Sequence, residues 1–408
     1  MTTPNGAIVF HATSGSDTQA SGLGPTTAEY GSGATTDGTA VVTGITTAGV
    51  TAGDLLWVQT ASGRQFSIIA SVDSGTQVTC DDTFVLGSGQ TWAIGGKRAT
   101  FNNSNSRRLL FAYSGGGDYK AGFVIETETD QTLTSRIGGN QGVSNGYWTI
   151  QGSAGSRKKI TITTNDRFLY YAGNANGLKF KNLIFACSAS SPTESAFVPR
   201  GSMMFEDCEF GDGTNNHASG YVSGNYANTL FRNCVFRTTK GIRGGNYLAT
   251  AVVDKCVFES STMGIELYGA EAAFIKNSIF KGCTDGIYVS SYPSYGLAIS
   301  NCVFSGCTTG VNATSSLAVT CEDNAFHNCS TSITNMADSG TVSLTADPFT
   351  DAAAGDYSLN TDAGGGALLR DSEATVGDTT IRPFRWLDTS TGGGSSTPAA
   401  AVRHTRLK

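Results

Sequence analysis

The chain has 408 residues, a formal net charge of −6 and only 15% charged residues. That balance argues against a basic nucleic-acid binder, and no apolar run approaches the roughly 20 residues of a membrane-spanning helix. Gly is abundant (52), Pro is scarce (8), and Ser, Thr and Asn fill much of the rest. A chain poor in helix formers and rich in turn formers reads as all-β.

Residues 1–36 read as an N-terminal entry strand and cap, with one strand followed by a polar loop over 7–25. The opening Met1-Thr2-Thr3-Pro4 has neither the basic nor the apolar region of a secretory signal. Residues 37–98 change texture: short strands at 54–60, 65–72 and 76–80 are joined by tight Gly/Ser/Thr turns, predicting a small β-barrel or β-roll inserted near the N-terminus. Residues 99–345 carry a repeat, weak at first (Trp148-Thr149-Ile150, Ile160-Thr161-Ile162) and strong from 178 onward. Residues 346–388 read as a C-terminal cap, because an open solenoid end exposes strand edges. Residues 389–408 are a Gly/Ser/Thr linker and a basic tail.

The repeat is defined by Phe185, Phe210, Phe236, Phe258, Phe280, Phe304 and Phe326, spaced by 25, 26, 22, 22, 24 and 22 residues. Five positions before each stand Phe180, Phe205, Phe231, Val253, Ile275, Ile299 and Cys321; seven before stand Leu178, Met203, Thr229, Ala251, Ala273, Leu297 and Val319. This alternation of period two marks a strand with one buried face. Then come Asn182, Asp207, Asn233, Lys255, Asn277, Asn301 and Asp323, mostly residue types that tolerate a left-handed corner. A second strand follows, Cys-Val-Phe in three coils. A Gly-Ile or Gly-Val pair (Gly241, Gly264, Gly286, Gly310) is expected to make the next bend and open a third strand. A period in the low twenties with three strands per repeat predicts a single-stranded parallel β-helix. The alternative, a sandwich, does not repeat one residue type at one position for seven coils.

Seven of the ten cysteines fall in two columns, Cys208, Cys234, Cys256 and Cys302, then Cys283, Cys307 and Cys329. They read as free, small apolar core residues. No CxxC pair occurs and the four histidines are scattered, so no metal centre is expected; no phosphate loop or triad order suggests a cofactor.

If Cys and Phe of the second strand point inward, the residue between them points out. That column, Ile184, Glu209, Val235, Val257, Ile279, Val303 and Ala325, is apolar at six of seven positions. A long outer apolar stripe implies a partner surface, most simply a homotrimer of parallel solenoids using Ile184, Val235, Val257, Ile279 and Val303. The alternative is cover by the same chain, for instance by the inserts 188–200 and 211–228. The richest acidic stretch supplies the catalytic candidates Glu259, Glu266 and Asp285, a carboxylate set of the kind glycan hydrolysis needs. Nearby Tyr268, Tyr288, Tyr292 and Tyr295 are the aromatic candidates for stacking on sugar rings.

The Asn corner and the run Asn301-Cys302-Val303-Phe304-Ser305-Gly306-Cys307 resemble the pectate-lyase-like right-handed parallel β-helix superfamily. Ser14-Gly15-Ser16-Asp17-Thr18 is similar to its common opening, and Asp347-Pro348-Phe349 through Tyr357-Ser358-Leu359 to its closing segment; Asp362-Ala363-Gly364-Gly365-Gly366 departs from the usual continuation. The absence of a signal peptide and the Gly/Ser/Thr texture look most like bacteriophage virion proteins. The resemblance implies a structural protein of a virion surface, assembled in the host cytoplasm. It would be a head decoration or short spike, trimeric, touching other virion proteins and host surface polysaccharide. The alternative function is a polysaccharide-degrading depolymerase, and a third reading is an exported adhesin.

Overall fold

The computed structural model describes residues 8–12, 29–95, 123–133, 148–153, 156–163, 169–170, 175–187, 197–198, 201–211, 228–244, 250–268, 272–290, 296–371, 374–376, 379–381 and 387. The chain divides into two compact units, Met1–Leu183 and Ile184–Lys408. No helix among the described residues is long and apolar enough to cross a membrane.

In the first unit, Ile8–Ala12 pairs in parallel with Phe123–Thr127, which pairs with Trp148–Gly152, which pairs with Ala175–Lys181. The strands of a closed barrel, Glu29–Thr36, Val41–Thr43, Leu55–Thr60, Gly63–Ser74, Gln77–Cys80 and Gly87–Ile94, lie in the chain between Ile8–Ala12 and Phe123–Thr127. Glu29–Thr36, which the sequence suggests is part of the cap, belongs to the barrel and closes it against Gly87–Ile94. Val42, Leu56, Val58, Ile69, Val78, Trp92 and Ile94 fill its interior, each on the inward side of an alternating strand.

The second unit is a stack of coils with three parallel faces. The first face runs Gly201–Glu206, Asn228–Arg232, Thr250–Asp254, Ala273–Lys276 and Leu297–Ser300. On the second face stand Leu183–Cys187, Glu209–Phe210, Val235–Phe236, Val257–Glu259, Ile279–Lys281, Val303–Ser305, Ala325–His327 and Val342–Leu344. The third consists of Lys240–Gly244, Met263–Leu267, Asp285–Val289 and the start of Thr309–Glu322. The strands of an inner coil thus pair with the coils above and below, and like stacks on like.

Phe236, Phe258, Phe280, Phe304 and Phe326 form a vertical file, with successive ring centroids 4.6, 4.8, 4.8 and 4.9 Å apart and planes within 8°. The spacing is that of neighbouring strands, so the strand ladder itself sets the ring stack. All seven corner residues from Asn182 to Asp323 have positive φ, between 51° and 57°. Even Lys255 is held at 57°, since the stacked strands on either side leave its rung no other path. Amide side chains reach across rungs here: Asn233 Nδ2 donates to Asp207 Oδ1 (3.3 Å) and Asn277 Nδ2 to Asp254 Oδ1 (2.9 Å).

The second bend lies elsewhere than the sequence suggests. Left-handed backbone occurs two residues after the phenylalanines, at Ser260, Gly282, Gly306 and Asn328. Gly264 and Gly286 sit inside strands, where a Cβ on Gly264 would lie 2.5 Å from Gly286 O and 2.8 Å from Phe280 Cδ1. These glycines make room for the phenylalanine file. Gly264→Ala is expected to destabilise the helix by about 1–3 kcal/mol through overpacking, read as a lower urea midpoint.

The cysteines whose side chains are described are free and, apart from half-buried Cys329, buried. Burial pushes the Cys302 and Cys321 thiols up to about 12, so they carry no thiolate at neutral pH and serve as packing. Ser278 and Asn324 replace cysteine in the first column; Asn324 accepts from Cys302 N (3.0 Å) and donates to Ile299 O (3.1 Å).

The outer apolar column is covered by the chain itself. Val235, Val257, Ile279, Val303 and Ala325 pack into one cluster with Leu344, Phe349, Tyr357, Leu359, Leu369 and Leu387, and none of these is more than 7% exposed. The segment expected to cap the end therefore lies along the flank of the second face. It is built from the antiparallel pair Phe349–Asp351 and Asp356–Leu359, joined by a 3-10 turn at Ala352–Ala354, and from the short helix Gly366–Asp371. Asn360 ties it together: its Nδ2 donates to Asp347 O and Phe349 O, and its Oδ1 accepts from Asp362 N and Gly366 N. Val235, Val257, Ile279 and Val303 are thus interior residues and offer no trimer surface. Ile184, half-buried, lies outside that cluster. The alternative cover, inserts 188–200 and 211–228, falls almost wholly outside the described residues.

Candidate functional site

Two polar arrangements flank the stack. The first lines the edge of the covered stripe, one residue beyond each phenylalanine: Arg237, Glu259, Lys281, Ser305 and His327. Arg237 bonds Glu209 through one terminal nitrogen and Glu259 Oε2 through Nε at 2.7 Å, and Tyr357 of the flanking segment donates its hydroxyl to Glu259 Oε1 at 2.7 Å. Burial opposes the charge on Arg237, but Glu209 and Glu259 more than offset it and raise its pKa. Burial, then the Glu259 carboxylate, holds the Tyr357 phenol well above its usual range. Two coils on, Lys281 Nζ pairs with Asp347 (2.8 Å) and donates to Ser305 Oγ (3.2 Å), which lies 3.0 Å from His327 Nδ1. Glu259 therefore clamps the C-terminal segment, with both carboxylate oxygens taken up by Arg237 and Tyr357.

His327 is half-buried, and its pKa is lowered first by burial, then by Lys281, with Asp347 opposing. A histidine whose folded pKa lies below its unfolded value of about 6.5 adds stability above that pH and loses it as pH falls through the folded value. The urea midpoint is expected to drop between pH 7.5 and 5, and His327→Gln to flatten that slope.

The second arrangement is on the outer side of the third face. Ile242, Ile265, Ile287 and Val311 point inward, at most 1% exposed, so their neighbours Arg243, Glu266, Tyr288 and Asn312 form one register column outward. Glu266 Oε2 is held by Arg243 Nε (3.1 Å) and Lys240 Nζ (3.6 Å), and its side chain is 9% exposed. Tyr268 follows the same strand and is 45% exposed, with the Arg243 guanidinium 6.0 Å from its ring centre. Tyr288 is half-buried beside Glu266, and Asp285 accepts from Asn312 Nδ2 (3.1 Å). Asp285 pairs with Met263, three residues before Glu266, which puts the two Cα atoms about 11 Å apart on neighbouring strands. Glu266, Asp285, Tyr268 and Tyr288 are thus on one face, while Tyr292 and Tyr295 lie outside the described residues. Sequence reading missed Lys240 and Arg243; counting one coil back from Glu266 and Tyr288 reaches Arg243. Among the described residues no group of three or more His, Cys, Asp or Glu is placed to hold a metal ion.

Residues 195–349 and 238–379 match the family model of a right handed beta helix region. The fold is a right-handed parallel β-helix. No curated protein matches the chain. Among solved structures, the chain is similar to the catalytic domain of a GH87 alpha-1,3-glucanase in complex with nigerose, at 10% identity over 76% of this chain and 92% of that one, with a TM-score of 0.24. A variant of such a domain in complex with tetrasaccharides aligns at 11% identity over 78% and 87%, with a TM-score of 0.20. Superpositions this loose transfer neither a site nor a substrate.

Proposed function

We propose that this β-helix is a structural component of a bacteriophage virion surface that contacts host surface polysaccharide through its third face. The observation supporting glycan contact is the outward column at Glu266: a carboxylate buried against two cations, beside an exposed tyrosine. Hydroxyl-rich rings need this mixture of acceptors, donors and an aromatic plane. The stacked core and flanking segment suit a stiff, slowly unravelling particle component. The virion setting rests on the family resemblance in the sequence. A homotrimer remains part of the proposal, moved to the first face, where the outward column Met204, Leu230, Val252, Phe274 and Ala298 is apolar and Phe274 is 46% exposed.

The test is binding of the purified protein to capsular and cell-wall polysaccharides, with mass photometry alongside. Saturable retention without release of reducing ends is expected. Release of reducing ends that stops in both Glu266→Gln and Asp285→Asn would favour the depolymerase reading, for which these carboxylates on adjacent strands are the candidates.

A further inference from the structure

We propose that the Glu266 face selects a neutral pyranose oligosaccharide over an acidic one; this deepens the polysaccharide reading above and rests on it. The charges on the face cancel. Lys240 and Arg243 both address Glu266 Oε2, at 3.6 and 3.1 Å, and Asp285 supplies a second carboxylate. Two cations against two carboxylates leave no surplus positive charge for a uronate or sialate, and the chain as a whole carries −6, which repels a polyanion at long range.

The ion pairs point the same way. Oε2 of Glu266 is shielded from solvent and already held by Arg243 Nε and Lys240 Nζ, so a carboxylate brought by a ligand would have to compete with Glu266 for the same two cations. A neutral sugar meets no such competition. Tyr268 lies two residues along, outward of buried Leu267, about 6–7 Å away along the strand. That step matches the reach of one pyranose ring, so hydroxyls beside the Glu266 ion pairs and a C–H face on Tyr268 can be met by the same sugar or by two linked ones. Arg243, over the Tyr268 ring at 6.0 Å, ties the aromatic plane to the carboxylate pair and holds the two groups in one geometry. Tyr288, the register partner of Glu266, places a second aromatic side chain beside the ion pairs, about 4.8 Å across the sheet.

The experiment is calorimetric titration of the full chain with neutral gluco- and galacto-oligosaccharides and with oligouronates, at 20 and 150 mM salt. Wild type is expected to bind a neutral series and to bind oligouronates at least tenfold more weakly. Tyr268→Ala, a change at an exposed position, is expected to weaken neutral binding about tenfold while the circular dichroism spectrum and urea midpoint stay unchanged. Glu266→Gln leaves Lys240 and Arg243 unmatched. It is expected to weaken neutral binding about tenfold and to gain salt-sensitive oligouronate binding, a reversal that a merely structural Glu266 would not give. Wild-type preference for oligouronates, or neutral binding unaffected by Tyr268→Ala, overturns the selectivity while leaving polysaccharide contact standing. Absence of binding to every oligosaccharide and to intact polysaccharide overturns both.

Discussion

Arg237→Ala is expected to destabilise the second unit by about 3–5 kcal/mol, the usual cost of removing one partner from a buried ion pair. Arg237 pairs with both Glu209 and Glu259, and the three side chains are only 16%, 10% and 17% exposed. Its removal leaves two carboxylates, on the coils to either side of its own, without their shared cation and with little water. The loss should appear as a lower urea midpoint and should shrink when Glu209→Ala and Glu259→Gln are added, because the stranded charges are then gone. Arg237→Lys should recover only part of the loss, since a point ammonium cannot span both carboxylates as the guanidinium does.

The second large effect is at Tyr357, which is 1% exposed and packs in the cluster that covers the outer stripe. Tyr357→Ala is expected to cost about 3–5 kcal/mol from the cavity alone. It also loosens the cover over Val257 and Ile279, so the variant should bind a hydrophobic dye and self-associate. Tyr357→Phe keeps the ring and deletes only the donor to Glu259 Oε1, which should cost about 1–3 kcal/mol without dye binding. The contrast separates the packing contribution from the hydrogen bond. Hydrogen exchange across 349–359 should speed markedly in the alanine variant and little in the phenylalanine one, because local opening of the segment precedes loss of the coils.

The interior of the β-helix was legible because its code is columnar. One phenylalanine per coil, one Asn or Asp corner per coil and period-two alternation leave a single arrangement that buries Phe236, Phe258 and Phe280 together. The role of Gly264 and Gly286 was misread, since a glycine before a branched residue looks the same whether it turns the chain or makes space for a ring on the next coil. What covers Val235 to Ala325 was not legible either. A local pattern shows that an outer stripe is apolar, but a second copy and a distant segment of the same chain satisfy it equally. Phe349, Tyr357 and Leu359 alternate like any short strand, and nothing in their spacing says which face they meet. The candidate site was half visible: acids and tyrosines cluster in the chain around 259–295, but pairing Glu266 with Arg243 and Glu259 with Tyr357 requires knowing which face each residue occupies.

The claim that the apolar stripe is closed from within the chain is tested most directly by zero-length carbodiimide cross-linking. Lys281 Nζ and Asp347 Oδ2 are 2.8 Å apart, within reach of a direct amide bond. A one-to-one mixture of ordinary and nitrogen-15-labelled protein, assembled together, cross-linked and digested, should yield the 281–347 peptide pair only as all-light and all-heavy species. Mixed light–heavy pairs would mean that the segment reaches the stripe of another copy, and no 281–347 pair at all would mean that it does not lie on the second face; either result contradicts this account.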